Sequence, residues 1–368
     1  MLPTIRPNVV QLHPYSPGRP IADVQRELGL SNIIKLASNE NPLGPSPKAI
    51  EAMQLALKGV HIYPDAMSTE ACEAIAIKLN LERPQILVGN GSEELISLIG
   101  QTFIGSEADE VIAGDPSFAR YATVAGVAPC RFVAVPLDSE LRIDLVAVAN
   151  AITPRTRLIF LASPNNPTGT IFDKAAFESF LATLPDHIVL VLDEAYFEFA
   201  KDDPSYPHGL DYLRPNVTVL RTFSKSHGLA GIRAGFMVAV PEVIDAVGRV
   251  QAPFAVNNLA QVAIVAALGD DEFLEKTIEL NARGRKQMTE ALEQLGYHVY
   301  KSHANFVLVD VREPAQPVFQ ALLREGVIVR GGHVLGLPTC LRVSIGTEAE
   351  VTRFIAAFSD VMTGRVAS

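Results

Sequence analysis

The chain has no tryptophan and only three cysteines in 368 residues, Cys72, Cys130 and Cys340. Three is an odd number and the spacings are wide. That excludes a disulfide framework and a paired-cysteine zinc site, and it fits a reducing cytosol. Positive charge is also scarce. Lys and Arg number 31 against 41 Asp and Glu, a net charge of −10, so the broad basic face of a nucleic-acid binder is missing. An anionic ligand has to be held by a few placed cations and backbone amides. No apolar run is long enough to cross a bilayer. The opening Met1-Leu2-Pro3-Thr4-Ile5-Arg6-Pro7 lacks the apolar stretch of a signal peptide. The eight histidines are scattered without metal-ligand spacing. These absences predict a cytoplasmic protein with no metal, no membrane and no nucleic acid among its partners.

What is present is ordinary globular composition, 48% apolar and 20% charged, in a length that suits about two domains. Pro3, Pro7, Pro14, Pro17 and Pro20 crowd the first twenty residues, which argues against a helix and for an extended arm. A helix is expected from about Lys48. Strands are then expected at residues 85–89, 110–113, 131–136, 158–162, 188–192, 217–222 and 235–240, with helical patterns such as 92–102 and 175–182 between them. The unbroken run Ile188-Val189-Leu190-Val191-Leu192 suits a strand covered on both faces, as in a mainly parallel sheet. Strand-helix alternation makes the fold class α/β. From about residue 245 the pattern changes to one long helical segment around 258–294, then strands at 303–311, 326–330 and 340–345. That is an α+β arrangement, read as a smaller second domain.

Four segments carry polar residues directly after expected strands. Gly89-Asn90-Gly91-Ser92-Glu93-Glu94 suits a phosphate at a helix N-terminus, or a plain turn with Ser92 as cap. Ser163-Pro164-Asn165-Asn166-Pro167-Thr168-Gly169 places amides where α/β sheets bind ligands, or is a Pro/Asn/Gly turn. Asp193, which opens Asp193-Glu194-Ala195-Tyr196, needs a cationic partner at the end of a buried strand, or serves as an N-cap or structural ion pair. Thr222-Phe223-Ser224-Lys225, with Arg233 eight residues on, joins an amine able to form a Schiff base to the hydroxyls and guanidinium that suit a phosphate monoester. A solvated lysine loop is the plain alternative. Taken together they describe one ligand: an aldehyde, a protonated ring nitrogen, a phenolate oxygen and a phosphate. Pyridoxal 5′-phosphate has all four.

The order Ser-Pro-Asn-Asn-Pro-Thr-Gly, Asp-Glu-Ala-Tyr, Ser-Lys-x-x-Gly-Leu-Ala-Gly-x-Arg resembles the fold-type I aminotransferases. Within them the chain is similar, nearly end to end, to the histidinol-phosphate aminotransferase family. That narrower likeness takes in Pro14-Tyr15, Lys35-Leu36-Ala37-Ser38-Asn39-Glu40-Asn41-Pro42, Tyr63-Pro64-Asp65 and Cys340-Leu341-Arg342-Val343-Ser344-Ile345-Gly346. The resemblance implies a large cofactor domain, a smaller α+β domain and these roles. Lys225 holds the cofactor and acts as base and then acid. Asp193 pairs with the pyridinium nitrogen, and Asn166 and Tyr196 bond the phenolate oxygen. Phe118 stacks on the ring, where many relatives have Tyr. The amides of Ser92 and Glu93, with Thr222, Ser224 and Arg233, bind the phosphate. Tyr63 reaches that phosphate from a neighbouring subunit, which implies a homodimer. Tyr15, Asn39, Arg330 and Arg342 contact substrate. His227 stands where the family more often carries an aromatic ring after an Ala.

The implied reaction is L-histidinol phosphate + 2-oxoglutarate ⇌ 3-(imidazol-4-yl)-2-oxopropyl phosphate + L-glutamate, in histidine biosynthesis. Aromatic amino-acid transamination and threonine-phosphate decarboxylation are the alternatives on the same fold. The expected division is an arm over 1–35 packing on the small domain or a partner, a large domain over 36–250 and a small domain over 251–368.

Overall fold

The computed structural model describes residues 5–12 and 18–364. The first strand is the short β1 (Ile34–Lys35). Seven strands then build the large sheet: β2 (Ile86–Gly89), β3 (Glu110–Asp115), β4 (Arg131–Pro136), β5 (Thr156–Ala162), β6 (Val189–Asp193), β7 (Val217–Thr222) and β8 (Gly235–Val238). Their order is β2-β8-β7-β6-β5-β3-β4. The pairs from β7 to β4 are parallel, and β8 runs antiparallel to both β7 and β2. The sheet is therefore mainly parallel, as the apolar strand pattern predicts.

Side-chain alternation explains why β6 is apolar throughout. Val189 and Val191 enter the core on one face with Leu158 and Phe160 of β5. Leu190 and Leu192 enter the core on the other face with Ile159 and Leu161. Both faces are covered, so every position of β6 leaves water. A fully buried Leu, Ile or Val contributes roughly 1.5–3 kcal/mol by that transfer.

The second unit is an antiparallel sheet. Its strands are β9 (His298–Tyr300), β10 (Phe306–Asp310), β12 (Arg330–Gly331) and β13 (Cys340–Ser344), in the order β12-β13-β10-β9. The short β11 (Val327–Ile328) pairs in parallel with β1. The helices Asp271–Gln294 and Glu348–Met362 supply Met288, Leu292, Val351, Phe354 and Phe358 to this unit's core.

Three expectations need correction. The long helical segment around 258–294 is two helices, Asn258–Leu268 and Asp271–Gln294, parted at Gly269-Asp270. The first helix buries Ala260, Ala263, Ile264 and Ala267 in the large sheet's core, so chain beyond residue 250 packs with the large unit. The proline-rich start does contain a helix, Pro7–Val10. Pro7 is tolerated at its first turn, where there is no helical N–H bond to lose. The strand expected at 303–311 is shorter, Phe306–Asp310, and β9 precedes it.

The N-terminal segment touches both units. Asn8 Nδ2 donates to Gly126 O at 2.7 Å. Val24, from the helix Ile21–Leu28, packs with Ala37, Leu323 and Ile328.

Candidate active site

Chemistry gathers outside the carboxyl ends of β5, β6 and β7, where parallel sheets leave a crevice. One cavity of about 390 Å³ there brings together Ser92, Glu93, Phe118, Asn166, Asp193, Tyr196, Thr222, Ser224, Lys225 and Arg233. Residues 133 positions apart in sequence, Ser92 and Lys225, thus face one space because β2, β8 and β7 are adjacent.

Asp193 is the last residue of β6 and is buried. It accepts from Tyr121 Oη at 2.7 Å and from the Ala195 N–H at 3.1 Å. Both donors are neutral, and burial pushes the carboxyl up from its ordinary range. The neighbouring Glu194 takes the structural role that was open for Asp193. It accepts from Arg221 Nη2 at 2.8 Å, Arg221 Nε at 2.9 Å and the Gly209 N–H at 2.7 Å. The Arg221 guanidinium lies 3.4 Å from the Phe197 ring centroid. Adjacent strand residues point to opposite faces, so one carboxylate is locked into the scaffold while the other faces the cavity.

The two asparagines of Asn165-Asn166 divide in the same way. Asn165 builds the turn, donating from Nδ2 to Pro116 O and Thr168 Oγ1, both at 3.1 Å. Asn166 faces the cavity, and its Oδ1 accepts from Arg342 Nη1 at 2.5 Å. The turn reading holds for Asn165, and Asn166 is left facing the cavity.

Lys225 follows β7 in the loop that closes the cavity, its Nζ 5.8 Å from the Tyr196 ring centroid. Burial of the ammonium, helped by the charge of Arg342, lowers its pKa to about 8. Such an amine is neutral often enough near neutral pH to attack a carbonyl or to take a proton.

The remaining wall is built for an anion. The helix Ser92–Phe103 starts there, with Gly91 at its cap position and no side chain capping it. Ser92 is the first helical residue, so the reading of Ser92 as the cap is corrected. Gly91 has φ +83°, and a Cβ on it would lie 2.7 Å from Arg233 Nη2. A Cβ on Gly235 would lie 2.4 Å from the Ser92 nitrogen. These two glycines let the guanidinium and the helix amides close on one spot. Thr222 Oγ1 stands beside them, accepting from the Ser224 N–H at 3.1 Å.

Anion cradle, low-pKa amine and buried carboxylate are the complements of a phosphate, an aldehyde and a protonated ring nitrogen. These residues fit pyridoxal 5′-phosphate.

Other expected residues lie outside the cavity wall. Asn39 (φ +56°) sits behind it, with Nδ2 donating to Tyr196 Oη at 2.9 Å. Arg342 reaches Asn166 and also donates to Ala37 O at 2.7 Å. Arg330 is paired with Arg342 in the β12–β13 register and is buried. Tyr63 is 78% exposed and stacks on Phe254, ring centroids 4.6 Å apart. Tyr15 lies outside the described residues.

Two cavity residues escaped the sequence reading. Tyr121 anchors Asp193, and Arg120 lines the cavity with its Nε 2.9 Å from Glu93 Oε1. Their only local signal is the spacing from Phe118, since their partners lie far off in the chain. Among the described residues, no group of three or more His, Cys, Asp or Glu could hold a metal. None of the helices among the described residues is long and apolar enough to cross a membrane.

Comparisons with known proteins converge. The family model described as aminotransferase class I and II matches residues 31–358. A histidinol-phosphate aminotransferase of Moorella thermoacetica is 45% identical over 364 residues, covering 98% of this chain and 94% of its own. Histidinol-phosphate aminotransferase 2 of Methylococcus capsulatus is 43% identical, with 97% of each chain covered. Among solved structures, histidinol-phosphate aminotransferase from Sinorhizobium meliloti in complex with pyridoxal 5′-phosphate superposes with a TM-score of 0.91 at 27% identity, covering 99% of both chains.

Proposed function

This chain belongs to the class I and II aminotransferases, and from that premise we propose that it uses pyridoxal 5′-phosphate to interconvert L-histidinol phosphate + 2-oxoglutarate and 3-(imidazol-4-yl)-2-oxopropyl phosphate + L-glutamate. The observation that carries the chemistry is the placing of Lys225, Asp193, Asn166 and Tyr196 on one cavity beside a helix N-terminus. The substrate rests on full-length similarity to relatives that bear that activity's name.

When bound, pyridoxal 5′-phosphate supplies the electron sink that acidifies the carbon carrying the substrate amine. Asp193 keeps a proton at the ring nitrogen. Asn166 and Tyr196 donate to the ring's phenolate oxygen, and Asn39 and Arg342 fix those two side chains from behind. Phe118, on the cavity wall, would stack on the ring. The Ser92 and Glu93 amides, Thr222, Ser224 and Arg233 bind the phosphate and set the ring's position. Lys225 would remove the substrate's α-proton as base and give a proton back as acid. Arg342 and Arg330 provide guanidinium charge for the substrate anions, with Tyr15 as a further contact.

We place the enzyme in the cytosol and read it as a homodimer. Leu55, Leu57, Val60, Ile62, Tyr63, Met67 and Ile77 are all exposed within one stretch of chain, an apolar surface of the kind that partners cover. Tyr63 would then serve the neighbouring cavity.

The test is single-turnover absorbance of the cofactor-loaded protein with L-histidinol phosphate, L-phenylalanine and threonine phosphate. The expected result is a change of the cofactor band at far lower concentration of histidinol phosphate, reversed by 2-oxoglutarate. Preference for phenylalanine, or release of carbon dioxide from threonine phosphate, would move the function elsewhere on the fold.

A further inference from the structure

A second, much smaller cavity of about 10 Å³ shares Lys225 with the first, and Asn281 and Asn305 line it. Both asparagines come from the small unit and are buried. Their amides have a fixed orientation. Asn281 Nδ2 donates to Ala304 O at 3.2 Å, and Asn305 Nδ2 donates to Asn39 O at 2.9 Å. Turning either amide over would set two oxygens against each other. In this orientation Asn281 Oδ1 and Asn305 Oδ1 are buried and have no partner among the described residues. An unsatisfied buried acceptor is costly, and native structures rarely leave two in one place. The space matches a single water, which needs two to four polar partners.

We propose that this cavity is a water site, in which one water donates to Asn281 Oδ1 and Asn305 Oδ1 and accepts from the amine of Lys225. Both protons of such a water are committed, so it can only accept from the lysine. The amine must therefore spend an N–H on the water, which keeps its lone pair off this side and free for the main cavity. Asn281 and Asn305 are thus positioning residues for the base. This rests on Lys225 acting as the acid–base group of the proposed transamination. The loop between is held in register from both sides: Asn41 Nδ2 donates to Ser226 O at 2.9 Å and to Thr277 Oγ1 at 3.1 Å. Other charges also act on Lys225. Arg342 and Arg233 disfavour its ammonium, whereas Glu40 and Asp193 favour it.

The test uses the full chain freed of cofactor, so that the readout does not depend on turnover. Acetylation of Lys225 is followed by mass spectrometry across pH in the parent, Asn281→Leu and Asn281→Asp. Removing an acceptor should lower the midpoint and adding a carboxylate should raise it, each by about half a pH unit or more, within the range that neighbouring groups impose. A purely structural role would move both variants the same way, and that result, or no movement, overturns the proposal. Asn305→Leu and Asn305→Asp form a second pair should the first not fold. A high-resolution crystal structure should show a water about 3 Å from both oxygens and from Nζ; an empty cavity overturns the proposal. Transamination by the parent is assayed in parallel. Its failure with the opposite shifts intact would sink the functional reading alone.

Discussion

As the proposed base, Lys225 must lose its proton before it can take one from substrate. With a pKa of about 8, roughly a tenth of the free amine is neutral at pH 7, against less than about a thousandth for an ordinary lysine. Burial supplies most of that difference, with Arg342 next. Lys225→Ala is expected to lower single-turnover rate constants by about 10²–10⁴, the usual worth of a placed acid–base group, while the variant still binds cofactor through the phosphate wall. Retention of the parent rate would refute the assignment. Asp193 gives a graded comparison. Tyr121→Phe removes one neutral donor from a buried carboxylate and should cost about 1 kcal/mol, close to a fivefold loss in cofactor affinity measured by absorbance titration. Asp193→Ala, which removes the charge itself, should cost distinctly more in the same titration.

The element that matters most for the proposed phosphate site is the helix Ser92–Phe103, and its position depends on what β8 does not carry. Gly235 opens β8 against the Ser92 nitrogen. Gly235→Ala puts a methyl into backbone that cannot yield locally, so the helix start must move. Cofactor affinity is expected to fall about tenfold or more, since a displaced N-terminus loses both its amides and its dipole as an anion site. A Gly235→Ala variant with parent affinity would show that this close approach is not needed. Elements of this kind were legible in the sequence to different depths. β5, β6 and β7 could be read because each is an apolar, β-branched run stopped by turn residues, and the residues around the stop line the cavity. β9 has only three residues and no period to detect. The break at Gly269-Asp270 is hidden by helical patterning on either side. Arg120 and Tyr121 look like ordinary helix-start residues, and Tyr121 matters only because Asp193 is folded against it. Glu194, beside Asp193, shows the limit from the other direction: sequence placed two acids together, and only strand alternation assigned one to the scaffold and one to the site.

At the scale of the whole molecule, the small unit forms a wall behind the cavity, and one titrating contact sits in that junction. The His303 backbone N–H donates to Gly169 O at 2.7 Å, and His303 Nδ1 lies 3.5 Å from Asp203 Oδ2. Burial, aided by Lys301, lowers the His303 pKa to about 4 in spite of Asp203. Burial shifts His227 in the same direction. In the unfolded chain both titrate near 6.5. Between about pH 6.5 and 4 the unfolded state therefore holds more protons than the folded state, and linkage makes stability fall as pH falls through that window. Carboxylates held low by their partners, such as Asp109 and Glu110, act elsewhere. Their contribution is complete above the unfolded carboxylate value and is lost only below it. Asp193, whose carboxyl is raised by burial, opposes the histidines in cofactor-free protein. The measurement accordingly belongs on the loaded enzyme and on a difference. Urea midpoints between about pH 7 and 4.5 should decline in the parent and decline less steeply in His303→Gln, by the slope of one proton. Parallel curves would mean that the junction histidine does not titrate with folding, and that the fit of the small unit against Gly169 and Asp203 is insensitive to acid.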